Sequence, residues 1–258
     1  MNFFLKIVFL FFIGCELGWG LEVLFRRFIS KNNPERRWIN PGFLIGPYLP
    51  LYGTGLVALY LMASVDSSFI KNIYLQKAFV FLSMAVMMTL IEYITGLIFI
   101  RHLKVKLWDY TYEWGNIKGI ICPKFSLAWA LIGGVYYFFV HPYILEALTW
   151  LSNNLAFSFV IGMFFGIFII DLGYSFRVVD KIKKYAKEND IVVRYDEFKA
   201  DIAQALKRDK QRSKFMFIFG TVQPLTEQLK AYKEKLEKLE KLKNVKGVAE
   251  KIKTNKNK

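Results

Sequence analysis

Five stretches of the chain are almost wholly apolar: residues 3–25, 43–64, 76–100, 119–140 and 155–176. About 20 mainly apolar residues in a helix reach across the roughly 30 Å hydrocarbon core of a bilayer. The pattern therefore predicts an all-α fold, a polytopic membrane helix bundle with about five transmembrane helices. The second stretch is irregular at its entrance: residues 41–55, "PGFLIGPYLPLYGTG", hold three prolines and four glycines. Proline removes a backbone donor and glycine loosens a helix. Inside lipid such backbone survives only where protein or a wet cavity satisfies it. A re-entrant or kinked element fits this segment as well as a capped helix start with a proline bend.

The polar connections set an orientation. Arg26, Arg27, Lys31, Arg36 and Arg37 follow the first stretch, and only Lys71 and Lys77 follow the second. Arg101, Lys104, Lys106 and Lys118 follow the third, and residues 141–154 contain no Lys or Arg. Basic loops stay in the cytoplasm, so the alternation puts the N-terminus outside and the C-terminal tail inside a cell membrane crossed several times. The N-terminal run could pass for a lipoprotein signal ending at Ile13-Gly14-Cys15. Phe12 fits such a box poorly and the apolar run continues to Phe25, so it reads as a retained helix.

Charge divides the chain into two regions. Residues 178–258 hold 22 of the 36 Lys and Arg against 12 acids, and so +10 of the net +15. The expected domains are a transmembrane domain, 1–177, and a basic, helical cytoplasmic tail, 178–258. In the tail, Leu225, Leu229, Tyr232, Leu236 and Leu239 make a coiled-coil-like seam, a route to a homo-oligomer. "KRDKQRSKFMFIFG" (207–220) suits an anionic leaflet. Membrane lipids explain these lysines better than nucleic acid does.

The first two helix pairs repeat. Glu22 precedes Trp38 by sixteen residues and Glu92 precedes Trp108 by sixteen. Each Trp is followed by an Asn (Asn40, Asn116), then by a Gly opening an apolar run that reaches a Pro (Gly42 to Pro47, Gly119 to Pro123). The two hairpins would be parallel copies, an arrangement found in transporters.

Carboxylates within spans are costly and point to function. Glu22, Glu92 and Asp171 fall in the cytoplasmic halves of their helices, and Asp109 and Asn116 lie in a loop on the same side. Together they form a candidate polar pocket, with Arg26, Arg27, Arg101 and Arg177 as candidate anion partners. For each acid alone, pairing with a nearby Arg, as in Glu22–Arg26 at i,i+4, is the simpler role. Tryptophans and tyrosines of "WDYTYEWGN" (108–116) read as interfacial anchors. Cys15 and Cys122 form no disulfide framework, and His102 and His141 are too few and too separated for a metal site. No cofactor motif is present, and no GxSxG or HExxH.

"GWGLEVLFRR", "WINPGFLIGPYLPLYGTG", "EYITG", "WDYTYEWGNIKGIICPKFSLAWALIG" and "IIDLGYSFR" resemble, in this order over residues 10–177, the putative ABC-transporter type IV permeases, also called CmpB-like. That family often has Arg where Pro41 stands, Cys where Leu49 stands, and Arg-Ile-Cys-Leu where this chain has Ile120-Ile121-Cys122-Pro123. The resemblance implies a permease; the polar pocket with its arginines suits an anionic or amphiphilic small molecule as what it binds or moves. Because the chain has no GxxxxGK[ST] loop, a separate ATPase subunit would have to dock on its cytoplasmic face. The other readings are a membrane-embedded enzyme using the carboxylates and a divalent metal on a phosphorylated lipid or isoprenoid, and a scaffold acting through its tail.

Overall fold

A computed structural model describes residues 2–30, 33, 35–208 and 224–256. Its helices are α1 (Phe3–Phe28), α2 (Pro50–Ala63), α3 (Ile73–Ile98), α4 (Pro123–Val135), α5 (His141–Asn153), α6 (Ser158–Glu188), α7 (Tyr195–Arg208) and α8 (Leu225–Lys256). Two short strands, β1 (Val105–Lys106) and β2 (Val193–Arg194), pair in parallel, Val105 with Val193 and Lys106 with Arg194. The all-α membrane bundle stands.

Among the described residues four helical rods are long and apolar enough to cross a membrane: Phe3–Phe28, Ile73–Leu103, Pro123–Asn153 and Leu155–Glu188. The second apolar stretch is divided instead. Residues 41–49 are irregular, and α2 has only 14 residues, about 21 Å at the α-helical rise. Pro50 starts it at a position where its missing N–H costs nothing, and Pro47 and Gly46 hold the preceding turns out of helical geometry. α2 begins halfway along α1, where Leu49 N–H donates to the Cys15 carbonyl at 3.0 Å. Glycine allows this approach: a Cβ on Gly18 would lie 2.1 Å from the Tyr52 Cβ.

His141-Pro142, expected in an outer loop, lies inside the continuous rod 123–153. A π-helical turn, Tyr136–Val140, precedes it, and His141 N–H bonds back to the Tyr136 carbonyl. The wider turn absorbs the donor that Pro142 lacks.

α1, α3 and α6 all finish on one side, here the tail side. α1 reaches α7 through Arg26 and Asp196, α3 leads into β1, and α6 continues straight through residue 177 to Glu188 before β2. On that side Val105, Val179, Ile182, Val193, Phe198 and Leu229 form a core. A second core, with Leu10, Leu59, Met84, Leu148 and Ile161, fills the bundle away from the tail. A third lies under the 41–49 loop, where Cys15, Leu44, Tyr48, Phe164 and Phe168 pack. The α8 seam faces its own chain: Leu229 and Tyr232 are buried in the tail-side core, whereas Leu239 is exposed. Most of "KRDKQRSKFMFIFG" lies outside the described residues.

Candidate functional site

The two helices bearing the repeated glutamates are built alike. α1 and α3 each have 26 residues and an Asn cap, Asn2 or Asn72, whose side chain accepts from the backbone N–H two residues on. Glu22 and Glu92 are each the twentieth residue of their helix. Both following loops turn at a glycine with positive φ, Gly42 at 72° and Gly119 at 65°, a conformation costly for other residues. Both lead to a proline-initiated helix, α2 or α4. Each glutamate accepts from a tyrosine of its own hairpin, Glu22 from Tyr52 at 2.7 Å and Glu92 from Tyr110 at 3.0 Å.

The charges of the two differ. Glu22 Oε1 accepts from Arg26 Nε at 2.8 Å, and Arg26 Nη1 reaches Asp196 Oδ2 of α7 at 2.5 Å. Asp196 in turn lies 4.0 Å from Lys199 Nζ. Two acids and two bases thus form a balanced chain from the end of α1 into the tail. Glu92 is 2% exposed, and no cation pairs with it among the described residues. The Tyr110 hydroxyl and the Trp129 indole of α4 face its carboxylate, Tyr52 and Glu22 lie close enough to act on its charge, and its Oε2 makes no regular hydrogen bond.

Asp171 has a different role. Its carboxylate accepts from the Ile45 and Gly46 backbone N–H groups, at 3.0 and 2.7 Å, from the Tyr48 hydroxyl at 2.6 Å and from Ser175 at 2.8 Å. It anchors the irregular loop from α6. From α1, the Trp19 indole donates to Asn40 Oδ1 at 2.7 Å, and the Asn40 amide donates to the Leu44 and Ile45 carbonyls. From α7, Lys199 Nζ donates to the Asn40 and Gly42 carbonyls at 2.6 and 2.8 Å. The loop's buried backbone is therefore satisfied by side chains of α6 and α7 and by Asn40, which the Trp19 indole of α1 holds in place. Burial pushes the Lys199 ammonium down to about 8; nearby Asp196 opposes the shift and Arg26 adds to it.

The "WDYTYEWGN" segment braces itself. Asp109 pairs with Lys106 at 2.8 Å, accepts from Thr111, and meets Arg194 of β2 at 3.0 Å. Burial works against the Asp109 charge, but Lys106 and Thr111 outweigh it and hold the carboxyl below the usual range. The Asn116 amide donates to the Thr111 and Glu113 carbonyls, and its oxygen accepts from Gly119 N–H. Tyr110 stacks on Phe125 with ring centroids 4.3 Å apart. Tyr112 and Trp114 are exposed, as interfacial anchors would be.

The five residues read as one pocket therefore occupy three places. Glu22 and Glu92 lie within range of each other's charge on either side of α2, Asp109 and Asn116 hold the second loop, and Asp171 holds the first. Of the four arginines, Arg26 joins the Glu22 group. Arg27 lies over the Trp38 ring, 4.5 Å from its centroid. Arg101 and Arg177 are exposed. No group of three or more His, Cys, Asp or Glu among the described residues is placed to hold a metal ion. Sequence reasoning missed Tyr48, Tyr52, Tyr110, Trp129, Asp196 and Lys199. Hydroxyls one turn from a proline entrance, and an Asp and Lys at i,i+3 in the tail, were the available signals.

The family model described as putative ABC-transporter type IV matches residues 9–176, from the second turn of α1 through the Asp171 anchor. The chain belongs to that family. The match takes in both glutamate hairpins and stops short of Asp196 and Lys199. No match was found among curated proteins or solved structures.

Proposed function

We propose that this protein is the membrane-embedded component of a transporter for an anionic or amphiphilic small molecule, in a conformation closed on the tail side. The tail side is cytoplasmic by the distribution of basic loops, and loop 41–49 with α2 completes a fifth, discontinuous crossing. Broken crossings with satisfied irregular backbone at mid-depth are the architecture in which transporters place their substrate sites. A separate ATPase would dock on the tail side.

The observation that carries this reading is the Arg26–Asp196 pair. An arginine at the inner end of a span already holds a carboxylate, and that carboxylate comes from the tail. Arg26 matches a carboxylate or phosphate in geometry and charge. Withdrawal of α7 would free it, and an anionic substrate would take the place of Asp196.

The test is mass spectrometry of small molecules that copurify with the protein from native membranes, comparing wild type, Asp196→Asn and Arg26→Gln. The expected result is an anion enriched with Asp196→Asn and depleted with Arg26→Gln. An identical set of bound molecules in all three would overturn the reading.

A further inference from the structure

Between Lys77 and Arg101 the sequence has a single charged residue, Glu92. The fold buries it almost completely, at 2% exposure. One oxygen accepts from Tyr110, the other makes no regular hydrogen bond, and the Trp129 indole is the remaining donor that faces the carboxylate. The groups facing it can be named element by element. α1 brings Glu22, whose charge Arg26 already meets. α2 brings the Tyr52 hydroxyl, which donates to Glu22. The loop brings Tyr110 and α4 brings Trp129. Each of these is an acid, a hydroxyl, an indole or an arginine already engaged.

An ionised carboxylate in such surroundings would be a buried charge with no cation beside it, met only by the Tyr110 hydroxyl and the Trp129 indole and in the field of the Glu22 carboxylate. Leaving one charge of a buried pair alone is strongly unfavourable, and a proton on the carboxyl removes that charge. The site also offers little to a metal cation, because its other oxygens are hydroxyls and a carboxylate already committed to Arg26 and Tyr52.

We propose that Glu92 is a proton-binding site within the membrane: the carboxyl holds a proton in the closed conformation and releases it when the Glu22–Tyr52–Tyr110 surroundings open. The step is Glu92–COOH to Glu92–COO⁻ plus H⁺, the proton passing to water admitted by the opening. The site's role as a coupling site rests on the transport reading, with the proton as the coupling ion. The Glu92 and Glu22 halves have the same place in their helices, and only Glu92 lacks a cation, so the repeat has separated a structural acid from a titrating one.

The test is infrared spectroscopy of the purified protein in lipid at neutral pH, reading the carbonyl stretch of protonated carboxyl groups. It needs no substrate and no flux, so it can fail while transport stands, or succeed while transport fails. The expected result is a protonated-carboxyl band that disappears with Glu92→Gln, persists with Glu22→Gln and shifts in frequency with Tyr110→Phe. The last variant keeps the acid in place and so reads the site even if Glu92→Gln folds poorly. A band unaffected by both the Glu92 and Tyr110 substitutions, or one lost with Glu22→Gln, would overturn the proposal.

Discussion

The two hairpins share a helix length, an Asn cap, a glutamate at the same position and a glycine turn, yet they are stabilised in opposite ways. The first depends on distant segments. Its glutamate is matched by an arginine that bonds to α7, and its loop is held by Asp171 of α6 and Lys199 of α7. The second is largely local: Lys106, Asp109, Thr111 and Asn116 bond within one loop, and the outside ion pair comes from Arg194. A loop packed inside the helix bundle must borrow polar partners for the backbone groups its own residues leave unsatisfied. A loop at the interface can brace itself and is wetted by solvent. The borrowed partners also link the first hairpin to the tail, so motion of α7 would be felt in the span.

Breaking that dependence should have the largest effect. Arg26→Leu leaves Glu22 and Asp196 without their shared cation, and we expect a loss of about 3–5 kcal/mol, read as thermal unfolding in detergent. Asp171→Ala strips the acceptor from two backbone N–H groups and from Tyr48. The expected cost is about 3 kcal/mol, with protease cleavage appearing within residues 41–49. Unchanged cleavage would mean that the loop does not need its α6 anchor.

Lys199→Met should cost about 2 kcal/mol at neutral pH, because the Asn40 and Gly42 carbonyls lose their donor. It should also change the pH dependence. Lys199 titrates at about 8 in the folded chain against an ordinary 10.5, so between those values the unfolded chain binds more protons. Stability linked to this residue therefore rises with pH over that window and is level below it. The neutral amine retains two N–H donors for its two carbonyls, so the loop stays bonded. The difference between wild-type and Lys199→Met unfolding curves should show that rise. A flat difference would contradict the burial of Lys199 on the loop.

The second hairpin should be forgiving. Asp109→Asn weakens pairs with Lys106 and Arg194 that are partly open to solvent, and about 0.5–1 kcal/mol is expected. A loss as large as that of Asp171→Ala would remove the contrast between the loops.

Much of this organisation was legible in the chain. Apolar length located the rods, and the sixteen-residue Glu-to-Trp spacing located the paired hairpins. The prolines and glycines of residues 41–55 marked the break in the second apolar stretch but not where it packs along α1, which depends on the approach of Tyr52 to Gly18. Asp171 was visible as an acid in a span. Three of its four partners lie some 125 residues earlier, and two of those are backbone N–H groups, which no side-chain pattern records. Lys199 was hidden by composition, one lysine among 22 basic residues in the tail. Its burial is a tertiary fact. The grouping of five polar residues in one pocket followed from similar depth along the helices, and depth says nothing about which helix faces are turned toward each other.

The central claim is that Glu22 is a balanced acid and Glu92, its counterpart, is not. The most direct measurement compares the thermal unfolding of Glu22→Gln and Glu92→Gln with wild type at neutral pH. The account predicts that Glu22→Gln unfolds at a lower temperature, because Arg26 loses one of its two carboxylates, and that Glu92→Gln unfolds at the wild-type temperature or above it. Equal destabilisation by the two substitutions, or a larger loss with Glu92→Gln, would contradict it.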